Sequence, residues 1–378
     1  MPDRIYGDNE VVKNSYMTMK KLLLRSLILT LNWNKSRTKL FSEIIIALIE
    51  NCSVNTKRLA QGISGQAKLS SKIQRVYRLF RDQLFDFDCI ANFVLSFFPE
   101  DKYIIALDRT CWKFGKNNIN ILFLAVVIGK ISVPVYWHFL DYRGTCDSAL
   151  MQDTLNRFIT QFGKNRVKYL LADREFMSKE WLKYLIQNNI SFVIPLRKDM
   201  KVRIKTNLQT LAICKSFNHL NSNEYKEVDA VLWGHNVRLG AYRNSKGELM
   251  VIVSNNDIKV EIFALYRYRW AIERLFKHLK SGGFNIEKSH LIHMDRFAKL
   301  IAVCAIASAL IIKNGLIRSA IDPIKIKKCK DVKKQLYSLF TYGLDHLKSA
   351  LKQAAYKVNK YIKSIFKPLH NIKLECQP

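Results

Sequence analysis

Hydrophobic positions change their spacing along the chain, and these changes divide it into regions of different structure. The first hundred residues and the last eighty carry apolar residues at helical spacing. The middle of the chain alternates short apolar runs, typical of strands, with helical patterns. We therefore predict a helical region, an α/β domain in two parts separated by a β-rich insertion, and a basic helical region at the end (1–100, 101–197, 198–249, 250–295 and 296–378).

Five apolar runs in the α/β domain predict its strands, and two helical patterns lie among them. The second and third runs are separated by Gly129-Lys130, which is typical of a hairpin turn. The insertion contains short alternating runs and no long helical pattern. The predicted strands are YIIALD (103–108), INILFLAVVI (119–128), ISVPVYWHFL (131–140), VKYLLAD (167–173) and SFVIPL (191–196), followed after the insertion by MVIVSN (250–255).

A basic segment precedes the first strand. Residues 57–81 contain seven basic residues and no acidic one. A glycine turn at 62–65 leads into an amphipathic helix, for which Ser71 and Gln74 have capping-box spacing. Helix, turn and basic helix resemble a DNA-binding helix-turn-helix, with Lys72, Arg75 and Arg78 on one side. An ordinary solvated helix face explains the same pattern, so both interpretations stay open.

The stretch 265–280, LYRYRWAIERLFKHLK, predicts a helix with one unusual face. Tyr266, Arg269, Glu273 and Lys280 fall within an arc of about 60° on an ideal helix. Ile272, Leu275, Phe276 and Leu279 occupy a separate apolar arc suited to a core. A single carboxylate among cations and a phenol is typical of a site that meets a phosphate backbone. A solvated helix with Glu–Lys pairs is the alternative.

Three acidic residues stand out by their positions. Asp108 and Asp173 each close a predicted strand, and Glu273 lies on the helix after the last strand. Functional groups of α/β proteins gather where strands end, although such aspartates also serve as turn formers and helix caps. Strand, strand and helix supply the three carboxylates in the order typical of the ribonuclease-H-like nucleotidyl transferase core.

Charge and cysteine content narrow the function classes. The 378 residues include 62 Lys and Arg against 31 Asp and Glu, a formal net charge of +31, which favours a polyanionic partner. The eight cysteines form no C-x2-C pair, which argues against a zinc site or disulfide framework and suits a reducing cytoplasm, with the protein at the prokaryotic nucleoid.

The apolar run 300–312 is short for a bilayer and predicts a buried helix. Residues 313–373 hold fifteen basic residues against three Asp, which indicates either a flank that follows phosphates or a solvated surface.

The spacing Tyr266-x2-Arg269-x3-Glu273-x6-Lys280 is similar to the Tyr-Arg-Glu-Lys signature of the Asp-Asp-Glu transposases of insertion-sequence family four. ALDRT around Asp108 and LLADREF around Asp173 resemble the other two acidic blocks of that family. The resemblance covers about residues 100–295. It implies a ribonuclease-H-like core and a DNA transposase that cuts the ends of its element and joins them to target DNA.

The resemblance also implies roles for single residues. Asp108, Asp173 and Glu273 would hold two Mg²⁺ ions, with Mn²⁺ able to substitute. Tyr266, Arg269 and Lys280 would grip the DNA backbone near the cleaved end. Trp233 corresponds to a tryptophan that stacks on a flipped base, although packing of the small sheet explains it equally well. The implied partners are double-stranded DNA, at element ends and target, and a second subunit in a synaptic homodimer. A nuclease of the same fold that does not join strands is the alternative.

Overall fold

The apolar runs predicted as strands join into one large sheet. The structure is a computed structural model that describes residues 5–114, 117–140, 146–206, 209–255, 258, 260–329, 332–352 and 356–367. Within these ranges ten strands form a single mixed sheet and two more form a separate hairpin. The strands are β1 (Tyr103–Phe114), β2 (Asn117–Ile128), β3 (Ile131–Phe139), β4 (Val167–Ala172), β5 (Phe192–Pro195), β6 (Lys201–Ile204), β7 (Thr210–Ala212), β8 (Tyr225–Leu232), β9 (His235–Arg243), β10 (Leu249–Ser254), β11 (Ile326–Cys329) and β12 (Val332–Gln335).

One half of the sheet has the predicted ribonuclease-H-like order. Its strands run β3-β2-β1-β4-β5, with β4 parallel to both β1 and β5 and β3 antiparallel to β2. The β2–β3 hairpin turns where it was predicted, because Gly129 adopts a φ of +60° that favours glycine. Most described residues of these strands are buried, as expected for strands covered on both faces. The α/β fold class is thereby confirmed.

The β-rich insertion continues the same sheet and does not form a module of its own. β10 pairs antiparallel with β5 on one side and with β9 on the other. The strands β8, β6 and β7 then extend the sheet outwards. The predicted strand content of the insertion is confirmed, while the five region boundaries stay predictions.

The chain forms two compact units. The first, here called the helical unit, comprises Met1–Pro99, Trp112–Asn118 and Arg274–Leu374. The second, the sheet unit, comprises Glu100–Cys111 and Ile119–Glu273. The helices are α1 (Ile5–Thr30), α2 (Lys35–Asn51), α3 (Thr56–Gln61), α4 (Leu69–Asp82), α5 (Phe87–Ser96), α6 (Ser148–Phe162), α7 (Lys179–Gln187), α8 (Ile213–Ser216), α9 (Ile262–Tyr266), α10 (Trp270–Leu279), α11 (Met294–Ile321), α12 (Leu339–Lys352) and α13 (Tyr356–Ile365).

α11 is the core helix of the helical unit. Among the described helices it is the one that is long and apolar enough to cross a membrane, but 89% of its most apolar window is buried inside the protein. The predicted apolar run 300–312 lies entirely within it, and every residue of that run is buried. Such burial is typical of a helix that forms the centre of a helical core.

The structure differs from the sequence predictions at two places in the helical unit. α4 begins at Leu69, with Lys68 as its cap residue, so Ser71 lies inside the first turn and does not start the helix. The C-terminal region, predicted as helical, also contains the β11–β12 hairpin between α11 and α12. Ile326 and Val332 are β-branched, which favours strands, and residues 330–331 lie outside the described residues. Residues 368–378 of the predicted C-terminal region also lie outside them.

Candidate active site

Asp108 and Asp173 occupy matching positions on neighbouring parallel strands. The last paired residues of β1 and β4 are Leu107 and Ala172, and the two aspartates come next. Adjacent strands are about 4.8 Å apart, so the register brings the two carboxylates side by side. Each accepts the backbone N–H of the following arginine, over 2.8 Å at Asp108 Oδ1 and 2.7 Å at Asp173 Oδ1. Each aspartate therefore keeps its second oxygen for other partners.

The two aspartates differ in the structure of the residues after them. Asp173 comes directly after β4 and caps a single 3₁₀ turn, Arg174–Phe176, as predicted for a strand-end residue. Asp108 was predicted to end its strand, but β1 continues to Phe114. The residues after Asp108 include Thr110, Cys111 and Trp112, which suit an extended chain. Asp108 is therefore a residue of the strand interior, held on both sides by β backbone.

The stretch predicted as one helix, 265–280, is broken at its centre. α9 ends at Tyr266, a 3₁₀ turn covers Arg267–Arg269, and α10 begins at Trp270. A 3₁₀ turn is wound more tightly than an α-helix, so the ideal 60° arc of predicted side chains does not survive. Tyr266 and Arg269 are buried, while the side chain of Glu273 is 54% exposed. The predicted apolar arc keeps its role, since Ile272, Leu275 and Leu279 are fully or almost fully buried.

Arg269 joins two of the three predicted carboxylates. Its Nη1 donates to Asp108 Oδ2 over 3.3 Å, and its Nη2 donates to Glu273 Oε1 over 2.5 Å. The guanidinium also lies over the Tyr266 ring, 5.5 Å from its centroid. A buried cation of this kind needs such partners, because removing a charge from water costs several kcal/mol unless it is paired. Asp108, Glu273, Tyr266 and Arg269 thus form one connected group, next to Asp173.

Burial controls the protonation of this group. It raises the pKa of Asp108 to about 7, against the lowering effects of the Arg109 N–H and of Arg269, and with smaller raising effects from Asp173 and Glu175. The pKa of the Tyr266 phenol is also raised, chiefly by burial. At neutral pH the site therefore carries a carboxyl group that ionises reluctantly. A further positive charge beside it would favour its ionised form.

The donor set suits a hard divalent cation in part. Carboxylate oxygens are the ligands that Mg²⁺ prefers, and Asp108 and Asp173 offer such oxygens side by side. Within the described part of the chain, however, no three His, Cys, Asp or Glu side chains lie close enough together to hold a metal ion. Glu273 reaches Asp108 through Arg269. The two aspartates thus supply oxygens of the kind that a hard cation prefers, while Glu273 bonds Arg269 and is exposed to solvent.

An ion pair between Arg109 and Glu175 lies beside the aspartates, and the sequence analysis did not predict it. Arg109 Nε donates to Glu175 Oε1 over 2.7 Å, linking the residue after Asp108 to the second residue after Asp173. The sequence shows both residues next to the acidic blocks, and their pairing is a result of the strand register. This bridge holds the ends of the two acidic segments against each other.

A cavity of about 630 Å³ opens beside Asp173 in the sheet unit. Tyr266, Arg269 and Trp270 line one part of it, as the predicted site requires. The sequence analysis did not single out the other lining residues, because their positions follow no helical spacing. Among them, Arg174, Lys198 and Arg267 are basic and Tyr225, Tyr242 and Phe263 are aromatic; four apolar residues and Glu261 complete the lining. Cations and aromatic rings around a carboxylate edge are suited to a nucleic-acid strand.

Trp233 lies in a strained turn away from that cavity. Trp233 and Gly234 connect β8 to β9, between the paired residues Leu232 and His235, with φ of +49° and +85°. Two positive φ values define a type I′ turn, in which Asn-Gly is the favoured sequence. The indole is 36% exposed and lines a cavity of about 660 Å³ with Arg197, Lys201 and Arg203. This cavity shares no lining residue with the one beside Asp173.

The other predicted DNA contacts belong to the helical unit. On α4, Arg75 and Arg78 are exposed and Lys72 is partly exposed, while Val76 and Phe80 are buried. Gly62 lets α3 approach α2 closely, since a Cβ there would lie 2.4 Å from the Ala47 Cβ. Lys280 follows α10, with its ammonium 5.3 Å from the centroid of the Trp112 ring. α3 and α4 are the two helices expected on either side of the glycine turn, and their role as a DNA-binding helix-turn-helix stays a prediction.

Comparisons with known proteins bear on this site. The family model described as "Transposase DDE domain" matches residues 99–310, which is more than half of the chain. No curated protein matches the sequence. Among solved structures, the chain is similar to one described as the cryo-EM structure of the piggyBac transposase synaptic complex with hairpin DNA. The two share 11% identity at a TM-score of 0.48, over 90% of this chain and 75% of that chain.

Proposed function

The chain belongs to the family of transposase DDE domains, and from this membership we propose that it is a cut-and-paste DNA transposase of the insertion-sequence family four type. In this proposal it binds the inverted repeats of its own element and cleaves the element ends. It then joins the 3′-hydroxyls to target DNA. Enzymes with this domain use divalent metal ions, and we assign Mg²⁺ here, with Mn²⁺ as a substitute.

One observation carries the proposal. Arg269 links Asp108 to Glu273, and the register of β1 and β4 puts Asp173 next to Asp108, all within the sheet unit. Two neighbouring carboxylates and a third within reach are the donor set that phosphoryl transfer with two metal ions requires. The Tyr-Arg-Glu-Lys spacing and both acidic blocks support the family-four assignment.

The mechanism assigns the metal ions to Asp108 and Asp173, with Glu273 as the third ligand. When bound, divalent ions make water or a 3′-hydroxyl a better nucleophile and stabilise the leaving oxygen. The protein itself orients the two aspartates through the backbone N–H groups of Arg109 and Arg174. The raised pKa of Asp108 means that a nearby positive charge converts it to the ionised form that binds.

Arg269 and Lys280 are the proposed backbone clamps. Nη1 and Nη2 of Arg269 each bond a carboxylate and each keep one further N–H, while Nε is buried without a hydrogen-bond partner in the described structure. A guanidinium that holds the site together and faces the cavity beside Asp173 is suited to bind a phosphate bidentately. Lys280 would add a positive charge. The Tyr266 ring, over which the Arg269 guanidinium lies, would help to hold that side chain in place.

Two further contacts complete the proposal. Trp233, exposed beside three cations, would stack on a base that leaves the duplex. Lys72, Arg75 and Arg78 on α4 would bind duplex DNA outside the catalytic site. A synaptic homodimer, in which two element ends are held together, is the proposed assembly.

The experiment that tests the function is Mg²⁺-dependent cleavage of a duplex that carries the element end. We compare the wild type with Glu273→Gln, which keeps the shape and loses the charge, and with Glu180→Gln, an exposed control on α7. Cleavage should be lost in the first variant and kept in the second. Equal cleavage by both would remove Glu273 from the mechanism.

Strand joining is measured with the same labelled ends and a circular target DNA. Joined products are expected from the wild type. Cleavage without any joined product would instead identify the protein as an endonuclease of the same fold.

A further inference from the structure

Neighbouring residues of β8 line cavities on two different faces of the sheet. Tyr225 lines the cavity of about 630 Å³ at the candidate active site, and Val231 lines the cavity of about 660 Å³. Lys226 and Val228 line a third cavity, of about 420 Å³, here called the outer cavity. Successive side chains of a strand point to opposite faces, and β8 pairs with β9 without a break in register. The outer cavity therefore opens on the sheet face opposite the other two.

The floor of the outer cavity is apolar. Ile204 of β6, Leu211 of β7 and Val228 of β8 line it, because the pairing of β6 with β7 and with β8 places these side chains on one face. Phe217, directly after α8, also lines the cavity and is fully buried. A floor of this kind favours a ligand that has C–H surface to cover, such as a sugar, over a small ion alone.

The rim of the outer cavity is basic and polar. Lys215 on α8, His219 after α8 and Lys226 on β8 are exposed and line the cavity. The other polar lining residues are uncharged: Thr206, Gln209, Ser216 and Asn218. None of the described residues that line this cavity is acidic, whereas the other two cavities each include an aspartate. Two ammonium groups beside hydroxyl and amide groups suit an anionic ligand.

The acidic residues nearest in sequence are engaged elsewhere. Glu227 belongs to the other face of β8 and accepts the first N–H of α9 over 3.4 Å. Glu224 accepts the Asn221 N–H over 2.7 Å. Neither Lys215 nor Lys226 forms an ion pair within the part of the chain that the structure describes. The charges of the two lysines are therefore available to a partner.

We propose that the outer cavity binds a backbone phosphate of a second DNA duplex, distinct from the duplex whose end lies at the active site. Lys215 and Lys226 pair with the phosphate oxygens, and the apolar floor covers the adjoining sugar. This inference rests on the proposed function, in which the protein handles an element end and a target, and the strand to be cut occupies the opposite face of the sheet. A lysine is a compact charge without a fixed bonding geometry, so this contact sets affinity and position and reads no sequence.

A free nucleotide offers the same phosphate and sugar. The three basic residues of the rim are exposed, as are Thr206 and Asn218, so the cavity is open at its mouth. An open mouth leaves room for a chain that continues on both sides of the bound phosphate, which a strand needs and a mononucleotide does not. DNA is therefore the ligand that we assign, and mononucleotide binding is an outcome of the test.

The test titrates the full chain, loaded with an element-end duplex, with a labelled second duplex of unrelated sequence at several salt concentrations. The wild type is compared with Gln at both Lys215 and Lys226, with Arg at both positions, and with a control that has Gln at the exposed Lys164 and Lys246. Each lysine–phosphate pair contributes about 0.9 to the slope of log affinity against log salt. The Gln pair should therefore lose about 1.8 units of slope and bind the second duplex about tenfold more weakly at low salt, while the Arg pair and the control stay within about 0.5 units of the wild type.

Three results overturn the inference. The first is a wild-type slope for the second duplex in the Gln pair. The second is a loss of slope confined to the element-end duplex, because the cavity then belongs to the DNA at the active site. The third is binding of a deoxynucleoside monophosphate to the wild type and not to the Gln pair, with equal slopes for the second duplex, which makes the cavity a site for a free nucleotide.

The single variants keep the test decisive if the Gln pair does not fold. Lys215→Gln and Lys226→Gln should each lose about 0.9 units of slope for the second duplex. Thermal unfolding identifies the folded variants, and each lysine is exposed, so the thermal midpoints are expected to equal that of the wild type. Wild-type slopes in both folded single variants overturn the inference.

The outcome is distinguishable from failure of the proposed function. If the Gln pair keeps the wild-type slope for the second duplex while the wild type cleaves element ends with Mg²⁺, the inference about the outer cavity alone is wrong. If the wild type does not cleave while the Gln pair shows the expected loss of slope, the DNA contact stands and the catalytic proposal fails.

Discussion

Asp108 and Asp173 lie one residue beyond the paired Leu107 and Ala172 of two parallel strands, and each accepts the N–H of the arginine after it. This repeated local arrangement leaves the second oxygen of each carboxylate for another partner, and at Asp108 that partner is Arg269. It also means that neither aspartate depends on a long loop for its position. The site is thus built on the register of β1 and β4, and the adjustable part of the donor set is the exposed Glu273 side chain.

We expect Asp173→Asn to reduce Mg²⁺-dependent cleavage of an element-end duplex by at least about a hundredfold, because loss of a metal ligand removes several kcal/mol of transition-state stabilisation. DNA binding should be unchanged or slightly tighter, since a negative charge is removed. Single-turnover cleavage and a binding titration measure the two effects. The exposed Asp101→Asn is the control and should behave as the wild type. Normal cleavage by Asp173→Asn would remove this residue from the site.

The raised pKa of Asp108 predicts a pH-dependent stability. The unfolded chain ionises this carboxyl near its ordinary pKa of 3.8, whereas the folded protein holds the proton up to about pH 7. The free energy of unfolding is therefore highest below pH 3.8. It falls as the pH rises through 7, by up to about 4 kcal/mol in total. Urea unfolding without divalent ions, at pH 4.5 and 7.5, should show that Asp108→Asn lacks this loss. Parallel pH profiles for both proteins would contradict the assignment.

Alanine variants of Arg269 and Lys280 should both bind DNA more weakly, but they should differ in stability. Lys280→Ala is expected to weaken end binding and to reduce the salt slope by about 0.9, the value for one phosphate contact. Arg269→Ala should show the same slope change and also a loss of stability, because Asp108 and Glu273 lose their shared partner. Binding titrations at several salt concentrations and urea unfolding separate the two effects. The exposed Lys246→Ala serves as the control.

We expect the positive φ of Trp233 to lower the free energy of unfolding of the protein. Asn is favoured over Trp at the first position of a type I′ turn, so Trp233→Asn is expected to raise the free energy of unfolding by about 0.5–1 kcal/mol. End cleavage should fall, because the exposed ring is lost from the cavity with Arg197 and Arg203. Trp233→Phe keeps an aromatic ring and should retain most of the cleavage activity. A stabilised Asn variant with full activity would show that Trp233 has no role at the DNA.

The sequence predicted which residues lie together better than their local geometry. Both aspartates follow apolar strand residues, so their proximity could be inferred from pattern and strand order. The break at Arg267–Arg269 could not, because a 3₁₀ turn leaves no mark in the spacing of apolar residues. The bond from Arg269 to Asp108 spans 161 positions of sequence and depends on that break.

Other differences have similar causes. β1 runs past Asp108 because strand ends are set by the neighbouring strands more than by the residues themselves. Lysine is depleted in strands, so the lysine-rich sequence of the β11–β12 hairpin gave no strand signal within the helical C-terminal region. The pairing of β5 with β10 joins residues separated by the whole insertion, and no local pattern announces it.

The pairing of β5 with β10 determines how a shortened form of the protein would behave in solution. β10 is an interior strand because β9 covers its far side. Deleting residues 201–243 would turn β10 into an exposed edge strand with a row of unpaired backbone N–H and C=O groups. Exposed edge strands pair with other chains, so the insertion also protects the protein against aggregation.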